Sequence, residues 1–256
     1  MDAIIKVIDV YRETSKGWLD AGRFAEYAIT YHSTAIEGST LTSLQVTKLI
    51  ENGITASNKS YTDHLMVTDH YQAIKFIEKH AAKKTKLTPT FISEIASILM
   101  KNTGSIVFAA VGSFDISKGE YRKCGVSAGN RVFPSYQKVL PMVKVLCDKL
   151  NDDLKTAQTI EEKLKISFRA QFELVSIHPF GDGNGRVSRL LMNYIQLYFD
   201  LPMNAIFKQD KIRYIETMET ARRTDNLDPY FKFMMAQYQK FLKSEIKHID
   251  NLKKLQ

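Results

Sequence analysis

Apolar residues recur at steps of three and four along most of this chain, the spacing that gives an α-helix one buried face. Such stretches run through residues 24–36, 65–77, 91–100, 139–150, 164–177, 187–199 and 230–242. Helix-start signals fall where these periods begin. Thr42 with Gln45 three residues on has the form of a capping box, and Thr88 before Pro89 reads as an N-cap followed by proline at the first helical position. The pattern predicts an all-α protein.

One segment departs from it. Residues 111–135, VGSFDISKGEYRKCGVSAGNRVFPS, hold four of the chain's 12 glycines, with β-leaning Tyr121, Val126, Val132 and Phe133 among them. That composition suits a short hairpin. A hairpin set among helices can bind an extended peptide along its edge or serve as a plain connector, and composition alone leaves both open.

At 44% hydrophobic and 25% charged residues, the chain can bury a substantial core. No apolar run approaches the roughly 18–20 residues that span a bilayer. The first 18 residues, MDAIIKVIDVYRETSKGW, carry neither a basic leader nor a small-residue cleavage site, so no signal peptide is expected. Cys124 and Cys147 fit no metal or redox spacing, and a cytoplasmic location follows. The net charge of +8 is spread thinly, densest in KFLKSEIKHIDNLKKLQ at the end. There Phe241, Leu242, Ile246, Ile249, Leu252 and Leu255 mark an amphipathic helix with a solvated basic face, so neither a nucleic-acid partner nor a membrane is expected.

The chemistry concentrates in His178-Pro179-Phe180-Gly181-Asp182-Gly183-Asn184-Gly185-Arg186-Val187-Ser188-Arg189. Before this run, apolar residues line two sides of a helix, as in a centrally buried element. Pro179 disfavours helix at His178, and after the run Val187, Leu190, Leu191, Tyr194, Ile195 and Tyr198 keep one stripe. The run is therefore a loop ending at a helix N-terminus, where unpaired N–H groups and a partial positive charge suit phosphate. Gly183 and Gly185 would let an anion approach. Arg186 and Arg189 stand one turn apart, able to clamp phosphate oxygens. Asp182 suits Mg²⁺ arriving with a nucleotide, and His178 suits a general base.

Taken whole, the run resembles the signature of the Fic family, H-x-F-x-[D/E]-G-N-G-R-x-x-R, at every specified position; a chance match in such a chain is on the order of 10⁻⁸. The resemblance implies a Fic-type helical bundle with a short β-hairpin flap. It implies a protein adenylyltransferase moving AMP from ATP to Ser, Thr or Tyr hydroxyls of target proteins and of itself. His178 would be the base and Asp182 the Mg²⁺ ligand. Gly183, Asn184 and Gly185 would form the anion hole, Arg186 and Arg189 would hold the β- and γ-phosphates, and Phe180 would anchor the loop. Tyr214 stands where relatives often place an adenine-pocket residue.

The segment Gly119-Glu120-Tyr121-Arg122 resembles the family's G-x-Y-R flap motif, which makes Tyr121, Arg122, Val126, Val132 and Phe133 expected target-docking residues. Ser33-Thr34-Ala35-Ile36-Glu37-Gly38 resembles the inhibitory motif [S/T]-x-x-x-E-[G/N]. By that resemblance Glu37, supported by Ser33 and Gly38, would engage Arg189 where the γ-phosphate must sit. Residues 1–85 are expected to carry this inhibitory helix and 86–256 the catalytic core, packed as one unit. Relatives of this inhibited type often self-associate, so a homo-oligomer is among the expected states. Other nucleotidyl or phosphoryl transfers, removal of AMP, and a non-catalytic binding module are the rival functions.

Overall fold

The computed structural model describes residues 1–17, 21–129 and 131–254. Trp18, Asn130 and Leu255, which belong to segments read above, lie outside the described residues. Among the described residues run ten α-helices: α1 (Asp2–Ser15), α2 (Ala21–Ile36), α3 (Ser43–Asn52), α4 (Tyr61–Ala82), α5 (Pro89–Leu99), α6 (Tyr136–Thr156), α7 (Ile160–Ile177), α8 (Asn184–Tyr198), α9 (Lys211–Thr224) and α10 (Asp228–Lys253). Between α5 and α6 lie four two-residue strands. β1 (Ile106–Val107) pairs antiparallel with β2 (Phe114–Asp115), and β3 (Ser127–Ala128) pairs antiparallel with β4 (Arg131–Val132). The second pair is the expected hairpin, with Ser127 opposite Val132 and Ala128 opposite Arg131. No described helix is long and apolar enough to cross a membrane.

The helix starts follow from local chemistry. Thr42 Oγ1 accepts the Gln45 N–H at 3.3 Å while Gln45 Oε1 accepts the Thr42 N–H at 2.9 Å, completing the capping box of α3. Thr88 Oγ1 accepts the Phe91 N–H at 3.0 Å to open α5. A second capping box, Thr159 with Glu162, opens α7. Two helices escape the periodicity reading because their buried stripes are thin. α1 buries only Ile4, Val7 and Ile8, and α9 only Tyr214, Met218 and Ala221.

Residues 57–199 make one compact unit, and residues 1–56 with 200–256 make another. In the first, α7 and α8 pack along their length and α4 covers α8. α7 buries Phe168, Ala170, Leu174 and Ile177 on two sides, as its double stripe predicts. α8 is enclosed more fully than its single stripe suggests: Ser188, Asn193 and Gln196 are as buried as Leu190 and Ile195. Partners between the helices explain this. Gln171 Nε2 donates to Ser188 Oγ and Gln196 Nε2 to Ser167 Oγ, each at 3.3 Å, so these polar side chains enter the core as hydrogen-bonded pairs. In the other unit α1 and α9 both pack on α10, and Tyr238 on α10 ties its hydroxyl to the Pro202 carbonyl at 3.0 Å.

Candidate active site

The loop between α7 and α8 begins at His178, which ends α7 in the left-handed region, φ 54° and ψ 60°. A non-glycine residue there costs on the order of 1–2 kcal/mol, and the following proline removes the helical alternative. Gly183, at φ 77°, starts α8; a Cβ at that position would stand 2.7 Å from Met100 Sδ. Glycine is thus favoured here by its backbone angle, and the Met100 side chain packs directly against it.

Two devices hold the loop. Asn184 Oδ1 accepts the Phe180 N–H and Asn184 Nδ2 donates to the Phe180 carbonyl, both at 2.9 Å. Its side chain therefore turns inward and closes the loop on itself. Its backbone N–H and that of Gly185 precede the first helical bond, from Val187 N–H to the Gly183 carbonyl at 2.9 Å, so no bond within the helix takes them. Phe180 is 2% exposed, and its ring stacks on Tyr121 at 5.2 Å and 12°.

The second device is Arg122, buried to 2% exposure. Its Nε donates to the His178 carbonyl at 2.8 Å, Nη1 to the Cys124 carbonyl at 2.7 Å, and Nη2 to the Pro134 carbonyl at 2.6 Å. Its own N–H donates to the Pro179 carbonyl at 3.0 Å. One guanidinium therefore joins the motif loop to the chain entering and leaving the hairpin. Of the residues expected in the docking flap, Tyr121, Arg122 and Phe133 are turned inward. Tyr121 gives its hydroxyl to the Pro89 carbonyl at 2.7 Å, and Phe133, 7% exposed, stacks on the His178 ring at 3.9 Å and 24°. Of the expected flap residues Val132 stands out to solvent at 82% exposure, and Val126 is half-buried, accepting the Phe133 N–H at 3.2 Å.

His178 lies under this cover with Nδ1 buried and without a hydrogen bond of good geometry. Burial lowers its pKa to about 4; the Val175 carbonyl and Asp182 favour the charged ring, while Arg122 and Arg131 oppose it. The imidazole is neutral at pH 7, the state a base requires. Arg131 completes a stack, its guanidinium 4.4 Å from the Phe133 centroid, and donates through Nη2 to the Ser176 carbonyl at 3.3 Å.

One turn along α8, Arg186 and Arg189 are each only 3% exposed. Arg186 places Nη2 3.3 Å from Met100 Sδ and 3.7 Å from Asp182 Oδ2. His70, buried on α4, is held well below its ordinary pKa first by burial, then by the charges of Arg189 and Arg186. Asp69 takes the Asn102 N–H at 2.9 Å and Nδ2 at 2.6 Å. Burial raises its pKa, with the Asn102 bonds and the charges of Lys101 and Arg186 pulling the other way. His70 and Asp69 are the polar surroundings that the sequence reading missed. A signal existed: His70 falls in the α4 stripe of Val67, Ile74 and Ile77, where a histidine among apolar positions marks a buried polar contact.

Asp182 has an exposed side chain, 67% by area, and its Oδ1 accepts the Gly183 N–H at 2.6 Å. Among the described residues no three His, Cys, Asp or Glu side chains converge as a metal cage. A lone solvent-facing carboxylate beside a phosphate-binding helix end does fit Mg²⁺, which binds through one or two carboxylates, substrate phosphates and water.

Ser33, Glu37, Gly38 and Tyr214 belong to the other unit. Ser33 is buried in the last turn of α2, 4% exposed. Glu37 follows that helix and is exposed, and Gly38 turns the chain at φ 106°. Tyr214 is a core residue of α9, 3% exposed and stacked near Phe233 at 6.2 Å.

Residues 86–196 match the model of the Fic/DOC family. A protein adenylyltransferase Fic of Drosophila willistoni is 27% identical over 234 residues, which is 91% of this chain and 44% of that protein. The chain thus spans less than half the length of that relative. Among solved structures, a Fic domain containing signaling protein from Bacteroides thetaiotaomicron superposes with a TM-score of 0.78 at 23% identity over 97% of each chain. Fic-1 from C. elegans gives a TM-score of 0.78 at 24% identity, covering 98% of this chain and 72% of that one. These two likenesses establish the fold.

Proposed function

Because residues 86–196 match the model of the Fic/DOC family, we propose that the chain transfers the adenylyl group of ATP to hydroxyl side chains of a target protein and of itself. The observation that carries this reading is the neutral, buried His178 on the same short loop as a helix N-terminus with two enclosed arginines. His178 takes the proton of the acceptor hydroxyl. The hydroxyl oxygen attacks the α-phosphorus, the bond to the bridging oxygen breaks, and pyrophosphate leaves. The Asn184 and Gly185 N–H groups at the start of α8 face the developing charge with the helix dipole behind them. Arg186 and Arg189 hold the leaving phosphates, since such transfers depend on positioning and electrostatic clamping. Mg²⁺, bound at Asp182, would neutralise phosphate charge. Free cysteines at 124 and 147 accord with a cytoplasmic location.

Restraint by Glu37 is part of the proposal. Its support is the exposed carboxylate at the end of α2, within a stretch matching the family's inhibitory pattern. In this reading the carboxylate competes with the γ-phosphate for Arg189, so ATP binds out of line until the contact opens.

The test incubates wild type, Glu37→Gly and His178→Ala with Mg²⁺ and ATP labelled at the α- or the γ-phosphate. The expected result is label on protein from α-labelled ATP only, strong in Glu37→Gly and absent in His178→Ala. Label from γ-labelled ATP alone would replace adenylylation with phosphorylation. Equal labelling of wild type and Glu37→Gly would remove Glu37 from the mechanism.

A further inference from the structure

α1 and α10 run side by side in the same direction. Gln239 Nε2 donates to the Ala3 carbonyl at 3.4 Å, and further along Lys253 Nζ donates to the Thr14 carbonyl at 2.7 Å. Along this seam lies an open groove of about 610 Å³, inside the unit formed by residues 1–56 and 200–256 and apart from the loop of His178. Its floor is apolar, made by buried Val7 and half-buried Ile246, with Val10 exposed beside them.

Lysines stand on both sides of that floor, Lys6 from α1 and Lys243, Lys247 and Lys254 from α10. All four are exposed, and none forms an ion pair among the described residues. Lys240, one turn before Lys243 on the same helix, is by contrast matched with Asp210 at 2.6 Å. Asp250 is the single carboxylate in the groove, so four ammonium groups against one carboxylate leave an excess of three positive charges. An apolar floor between unmatched cations calls for an object that is apolar along its middle and acidic along its flanks.

The shape narrows the choice of partner. A membrane surface is flat and is entered by protruding apolar side chains, whereas Val7 and Ile246 lie below the lysines. A nucleic-acid strand would find no aromatic ring to stack on and no arginine among the described lining residues. Among the described residues this unit has no strand whose edge could pair with an extended peptide. The partner must therefore satisfy its own backbone, which a helix does. A seam between two parallel helices takes the apolar face of a third, in the helix-in-groove mode.

We propose that this groove docks an acidic amphipathic helix of a partner protein, its apolar stripe on Val7, Val10 and Ile246 and its carboxylates against Lys6, Lys243, Lys247 and Lys254. The proposal stands whether or not the transferase reading holds.

The test titrates the full chain into a fluorescein-labelled helical peptide and follows anisotropy. The peptide has about 16 residues, roughly the reach of the groove along α10 at about 1.5 Å per residue. It carries leucines at helical spacing with glutamates on both flanks. Two controls have the same residues in an order without a stripe, and glutamine in place of every glutamate. The striped acidic peptide is expected to bind with a dissociation constant of about 100 μM or tighter, and more weakly as salt rises. Each control should bind at least about tenfold more weakly. The double variant Lys243→Glu/Lys247→Glu and the single variant Val10→Asp should each reduce affinity by about tenfold or more. These positions are exposed, and thermal melts verify that the variants fold. Equal binding of the unstriped peptide, or undiminished binding by the folded variants, would overturn the assignment. So would absence of peptide binding to wild type. Capture of the chain instead by vesicles of phosphatidylserine and phosphatidylcholine, or by duplex DNA, lost in the double variant, would give this face to a membrane or a nucleic acid. A dimer seen by light scattering and abolished in the double variant would give it to a second copy, and overturn the proposal equally.

Discussion

His178 holds its imidazole with Nδ1 enclosed and a phenyl ring on its face, so its charge state is set by desolvation more than by a bonded partner. The pKa near 4 has a kinetic consequence. If transfer needs the neutral ring, the rate should hold from pH 8 to pH 6 and decline only below, with its acid limb under the ordinary histidine value near 6.5. A limb at or above 6.5 in the pH–rate profile would mean that the ring is not desolvated in the working complex. Asn184 invites a second measurement. Truncation in Asn184→Ala leaves the Phe180 N–H and carbonyl buried without their partner, which should cost about 1–3 kcal/mol. The expected result is a lower melting temperature along with weakened transfer; an unchanged melt would show that water replaces the staple. The motif told where chemistry gathers, and every residue of it is in the loop or the first turns of α8. It did not tell that Asn184 turns inward, since side-chain direction depends on the loop closing back on Phe180. Nor did it reveal Met100 against Arg186, because nothing local to residue 100 points to residue 186.

Among the elements, periodicity recovered the helices with wide apolar stripes and lost α1 and α9, whose stripes amount to three buried residues each. The hairpin was legible from its glycines, yet the pair β1 and β2 was not, because two residues a strand, Ile106 opposite Asp115 and Val107 opposite Phe114, are too few to show an alternation. α8 shows a single apolar stripe in the sequence yet is enclosed, since Gln171 and Ser167 on α7 supply partners that only tertiary contact reveals. The turn before Tyr121 depends most tightly on one residue. A Cβ on Gly119 would stand 2.1 Å from the Ser93 carbonyl oxygen, and its φ is 67°. Gly119→Ala must therefore move α5 away from that turn, and a loss above about 4 kcal/mol is expected. Chemical denaturation measures it. A loss below about 1 kcal/mol would show that the turn shifts freely against α5.

For the molecule as a whole, buried titratable groups predict an uneven response to acid. His178 is lowered to about 4 and His70 well below its ordinary value, both in the unit of residues 57–199. As pH falls below the unfolded histidine value near 6.5, the unfolded chain takes protons that these folded rings refuse, so stability declines toward pH 4. Asp69, raised in its pKa, acts alone against them. In the other unit His32, lowered to about 4, is opposed by Glu245, raised to about 7. Glu245 contributes stability that is full below its unfolded value near 4.5 and lost as pH rises through 7. Hydrogen exchange, corrected for intrinsic rate, should therefore show protection falling first in residues 57–199 between pH 6.5 and 5. Uniform loss across both units would count against the balance drawn here. The anchoring of the hairpin bears on how such a protein changes over time. Arg122, Tyr121 and Phe133 fasten it from within, while Ser127, Ala128 and Val132 are exposed. Substitutions at the exposed positions leave the base and its stack intact, so, if the hairpin docks targets as the family resemblance implies, a lineage could acquire new clients by drift at a few outward residues while the proposed reaction stays fixed. A transplant of the exposed tip alone, with Arg122 and Phe133 left in place, is the smallest graft that should carry a preference from one scaffold to another.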